Sequence, residues 1–128
     1  MINIKERRKH TRFKCAVKCN MDYYEGDPDS MDITKTRPAK LRGSILDISK
    51  GGTLIISNMA VAVRMPVHLT FMLKKEKHER SGKIIRTGLL NDNPSEVAMK
   101  IAGLGNKENY YIAVEFDDII TNLSEHDI

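Results

Sequence analysis

Two short strings hold the residue types that could do chemistry: Arg7-Arg8-Lys9-His10-Thr11-Arg12 near the start, and Asp47-Ile48-Ser49-Lys50-Gly51-Gly52 some 35 residues further on. A guanidinium is planar, always charged and forked, so it suits a phosphate oxygen pair better than a lysine point charge does. A carboxylate only accepts hydrogen bonds, and a hydroxyl both donates and accepts. Asp47 and Ser49 stand either side of Ile48, and an alternating strand puts them on one face. The strand then breaks at Gly51-Gly52, where a missing Cβ permits close approach of a ligand or a positive φ. Together the two strings read as a clamp for a small, doubly anionic ligand.

Charge placement supports this. The chain has a formal net charge of +4 over 128 residues. Lys5, Arg7, Arg8, Lys9, Arg12 and Lys14 crowd the first 14 residues beside a single acid, Glu6, which leaves 15 basic and 16 acidic residues in the rest. All the excess positive charge therefore sits on the N-terminal arm, which predicts an anionic partner at that end.

The elements that must position these groups read as strands. Phe13, Cys15, Val17, Cys19 and Met21 alternate with Lys14, Ala16, Lys18 and Asn20, the period-two pattern of a half-buried strand. Residues 23–38 are rich in turn formers and read as a long loop. Strands follow at about Ala39 to Ile48, Thr53 to Ser57, Val67 to Leu73, Arg80 to Thr87, around Val97, and Tyr110 to Phe116. Residues 74–79 read as a charged tip between two of them, and Ser124 as the cap of at most a short C-terminal helix. The spacing predicts an all-β fold, a small six- to seven-stranded antiparallel barrel over 13–128 behind a basic flexible arm at 1–12. Cys15 and Cys19 lie roughly 13 Å apart on a strand, beyond the reach of about 7 Å that a disulfide needs. They read as small buried apolar residues.

On these motifs the chain resembles the PilZ domain family, bacterial modules that sense cyclic di-GMP. The family's RxxxR motif matches Arg8 and Arg12, and its (D/N)xSxxG motif matches Asp47, Ser49 and Gly52. The run Ile112-Ala113-Val114-Glu115-Phe116 fits its last strand, with alanine where glycine is common, and the likeness extends from about Arg7 to Asp118. The stretch Thr87 to Asn109 is longer than the family's usual connection, and the family's C-terminal helix would only be starting where this sequence stops. The resemblance implies a cyclic di-GMP site formed by Arg7, Arg8, Arg12, Asp47, Ser49 and Gly52. The ligand chemistry agrees. Arginine forks onto a phosphate or onto guanine O6 and N7 and stacks on a purine, while Asp47 suits the donor edge of guanine at N1 and N2.

No nucleophile elbow, phosphate-cradling glycine loop or metal-spaced His/Cys set is evident, so the sequence reads as a binding module, with no metal cofactor. His10, His68, His78 and His126 read as scattered surface or tip residues. No apolar run approaches about 18 residues, and no apolar stretch follows the basic start, so a cytoplasmic location without membrane insertion is expected. The resemblance implies cyclic di-GMP and a protein partner in motility, secretion or polysaccharide synthesis, the chain being a monomer or homodimer. Two alternatives remain at this point: a nucleic-acid-binding barrel with a basic arm, disfavoured by an aromatic content of 5% without Trp, and a protein adaptor that binds no nucleotide.

Overall fold

The computed structural model describes residues 10–26, 29–32, 34–90, 110–124, 127 and 128. Six strands run in order as β1 (Phe13–Tyr23), β2 (Ala39–Ile48), β3 (Gly52–Ser57), β4 (Pro66–Leu73), β5 (Glu76–Leu89) and β6 (Tyr110–Phe116). They close into a barrel in the spatial order β1-β2-β3-β6-β5-β4, every neighbouring pair antiparallel. Closure pairs every strand on both sides, which removes the free edges of an open sheet along the paired stretches. The expected fold class is therefore the observed one. The additional strand expected around Val97 falls outside the described residues.

Burial follows the alternation. Cys19, Met21, Tyr23, Leu41, Ile45, Ile48, Ile55, Leu69, Phe71, Ile84 and Ile112 fill the interior, with Cys15 and Val17 packed against them. No disulfide joins Cys15 and Cys19, as their spacing requires. A separate outer-face cluster joins Leu46, Leu54, Ile56, Leu90 and Tyr111.

The charged tip at 74–79 is mostly strand. Lys74 and Lys75 alone make the turn, both at positive φ (47° and 71°), while Glu76, Lys77, His78 and Glu79 pair with Leu73, Met72, Phe71 and Thr70. Their polar composition masks a period that the apolar partner strand imposes. At the C-terminus Ser124 closes a turn: its amide and hydroxyl both donate to the Asp127 carboxylate, at 2.8 and 3.2 Å, and the Asp127 amide returns to the Ser124 carbonyl at 3.0 Å. Among the described residues there is no α-helix.

Candidate functional site

Two β-bulges shape the site. The β1–β2 register shifts between Lys14 and Val17, and the β2–β3 register shifts between Ile45 and Asp47. Ile45 and Ile48 are both fully buried in the interior although three positions apart. The extra residue carries Leu46 and Asp47 together to the outer side, as a bulge does when it re-aims a side chain. Asp47 lies there opposite Lys14 on β1 and Leu54 on β3, only 8% exposed. Its carbonyl accepts from the buried Thr53 hydroxyl at 2.7 Å, which fixes the backbone that presents the carboxyl.

Beyond Ile48 the chain turns back at once. The Ser49 amide donates to the Gly52 carbonyl at 2.8 Å across a turn of Lys50 and Gly51. The Ser49 hydroxyl accepts from the Gly51 amide and donates to the Gly52 carbonyl, both at 3.3 Å, so it braces the turn while remaining half-buried at its surface. Gly52 is not at positive φ. The reason for glycine there is contact: a Cβ would stand 2.3 Å from the Val114 carbonyl oxygen of β6. The turn is also tied to the C-terminal segment, since the Phe116 and Ile120 amides donate to the Gly51 and Lys50 carbonyls, each at 2.8 Å.

The root of the basic arm meets this turn. Phe13 pairs with Ile48 and Lys14 with Asp47, so residues 10–12 leave the barrel beside Ser49–Gly51. The His10 ring lies close enough that a Cβ on Gly51 would come within 3.0 Å of its Cδ2. Arg12 is exposed at this point. Of the six sequence-predicted site residues, Arg12, Asp47, Ser49 and Gly52 are thus gathered at one end of the barrel, while Arg7 and Arg8 lie outside the described residues. Sequence reasoning passed over Lys14, which looked like an ordinary outward strand residue, and His10, which looked like a surface histidine. It also missed Cys15, whose thiol is pushed up to about 11 by burial and, secondarily, by the Asp47 charge. That link puts the carboxylate and the thiol in one electrostatic neighbourhood.

Of the other histidines, His126 lies outside the described residues, and His68 and His78 have structural surroundings. His78 stacks on Phe71 with ring centroids 5.4 Å apart, and His68 Nδ1 lies 3.3 Å from the Ser81 hydroxyl. Among the described residues no group of His, Cys, Asp or Glu could hold a metal ion, and no helix is long and apolar enough to cross a membrane.

The PilZ domain model matches residues 6–126. The chain belongs to the PilZ domain family. Solved structures agree on the fold. The Bacillus subtilis inhibitor of motility MotI/DgrA superposes with a TM-score of 0.56 at 15% identity, over 88% of this chain and 44% of that one. The chain thus spans less than half the length of that protein. The PilZ domain of Escherichia coli YcgR, solved with c-di-GMP, gives a TM-score of 0.54 at 14% identity, over 94% and 82% of the two chains. No curated protein matches the sequence. PilZ domains are receptor or adaptor modules, and the family binds cyclic di-GMP.

Proposed function

We propose that this PilZ domain is a cytoplasmic cyclic di-GMP receptor, with residues 1–12 as a closing arm and 13–128 as the barrel it closes upon. The single observation that supports this most is the meeting of the arm root with the Asp47–Gly52 turn, through the Lys14–Asp47 pairing and the His10–Gly51 approach.

Like charges on Arg7, Arg8, Lys9 and Arg12 repel one another, so the arm gains little by folding alone. A dianionic dinucleotide removes that repulsion, and Arg8 and Arg12 fork onto its phosphates or guanine edges. Asp47, turned to the outer side by its bulge with its backbone carbonyl held by Thr53, accepts from guanine N1–H and N2–H as the arm and ligand close over it. Ser49 has a lone pair and a rotatable proton to offer an adjacent oxygen. Gly52 serves the site by keeping β3 close to β6, and Arg7 adds a further positive charge to the arm. Closure changes the surface shown to a protein partner.

Breaking one charged contact in a desolvated site costs about 2–5 kcal/mol, a weakening of about 30-fold or more. Titration calorimetry with cyclic di-GMP is expected to show that loss in both Arg8→Ala and Arg12→Ala, with thermal stability unchanged. Wild-type affinity in both variants would overturn the assignment.

A further inference from the structure

The arm and its turn leave unused a second run of positive charge, on the outside of the barrel where β2, β1 and β4 lie side by side. Lys18 and Asn20 on β1 and Lys40 and Arg42 on β2 are exposed. The register makes them neighbours: Lys18 opposite Ser44, Asn20 opposite Arg42, and Asp22 opposite Lys40. On the other side Asn20 faces Thr70 and Asp22 faces His68. Met72, two residues past Thr70 on the same outer face, is 51% exposed. Lys40 and Arg42 form no ion pair among the described residues. The half-buried Asp22 is the one acid among the outward positions of this face between Lys18 and Lys40. Four residues of strand span about 13 Å, and three strands about 10 Å across, an area that one extended segment or one helix face can cover.

We infer that this face docks an acidic segment of a partner protein. The composition decides between classes of occupant. Nucleic-acid grooves stack bases on large aromatic side chains, and the outward residues here include no Phe, Tyr or Trp, the half-buried His68 being the one ring on this face. Protein interfaces favour Arg and Met at their centres. Arg42 offers a carboxylate two parallel donors, and Met72 gives an apolar side chain somewhere to rest. The face is also separate from the nucleotide turn, so a partner can sit on it while the arm is closed. The inference rests on the receptor reading only in supposing that the signal has a protein output.

The test uses the full chain and three probes: a short fluorescent peptide of repeated Glu-Glu-Leu, its Lys-Lys-Leu counterpart, and oligouridylate of the same net charge as the acidic peptide. Anisotropy is read with and without saturating cyclic di-GMP, and amide chemical-shift mapping locates the site. Expected is binding of the acidic peptide alone, with shifts confined to the outward residues of β1, β2 and β4. Affinity should fall at least about tenfold in Lys18→Glu/Arg42→Glu, and in Arg42→Ala by a smaller factor should the double variant not fold. Cyclic di-GMP affinity should stay at its wild-type value in these variants. Undiminished peptide binding in the variants, shifts mapping to another face, or preference for oligouridylate would each overturn the inference. If the nucleotide fails to bind the wild type, the receptor reading falls, while the nucleotide-free peptide titration still decides the docking face.

Discussion

Replacing Gly52 with alanine separates the contact role of this glycine from a purely ligand-facing one. The new Cβ would sit 2.3 Å from the Val114 carbonyl oxygen and 3.5 Å from the Glu115 Cα, where real Cβ contacts stay beyond 3.0 Å. Both neighbours are backbone of the paired strand β6, so no side chain can rotate away. The strands must part instead, which strains the Phe116–Gly51 hydrogen bond alongside. Overpacking of this kind costs about 1–3 kcal/mol, and weakening one hydrogen bond adds about 0.5–1.5 kcal/mol. Alanine recovers about 0.4–1 kcal/mol by restricting the unfolded chain. The net is a loss of about 0.5–4 kcal/mol, which at about 4 °C per kcal/mol for a chain this size is a Tm drop of about 2–16 °C. Gly51→Ala is the control. Its Cβ meets only the edge of the His10 ring at 3.0 Å, a side chain that can swing aside, so stability should stay within about 1 kcal/mol. Urea and thermal unfolding of both variants provide the measurement. A Gly52→Ala protein as stable as wild type, or a Gly51→Ala protein that loses more, would refute the reasoning.

Cys15 should resist alkylation at about pH 8, where an ordinary thiol is partly ionised, and Asp47→Asn should speed its modification by removing the charge that helps raise the thiol. The folded thiol titrates near 11 and the unfolded one near 9.0, so its contribution to stability is complete below the lower value and is lost as pH rises through the higher. Comparing wild type with Cys15→Ala across that window isolates the effect, and identical pH profiles would contradict it. Lys75 holds φ 71° in the β4–β5 turn, a conformation that costs an L-residue about 1–2 kcal/mol. Lys75→Gly should therefore raise stability by about 1 kcal/mol in denaturant melts, and a loss instead would show that this lysine makes contacts worth more than its strain.

The period-two rows of Phe13–Met21 and Val67–Leu73, and the turn-forming residues between apolar runs, were enough to specify a small all-β barrel, because strand burial is written directly into alternation. The charge on residues 1–14 and the Asp47–Gly52 string pointed to a candidate site by composition. Three things came only from the assembled barrel. Strict alternation from Leu41 through Gly43 and Ile45 would have turned Asp47 into the core; the bulge reversed its phase, and a bulge is fixed by neighbouring strands rather than by local sequence. The strand at Glu76–Glu79 was hidden because its own residues are polar and its pairing energy comes from β4. The reason for glycine at position 52 could not be read locally either, since the atom that excludes a Cβ belongs to Val114, far along the chain and brought there by closure. Sequence determined which residues could bind an anion; register between distant strands decided which way they face.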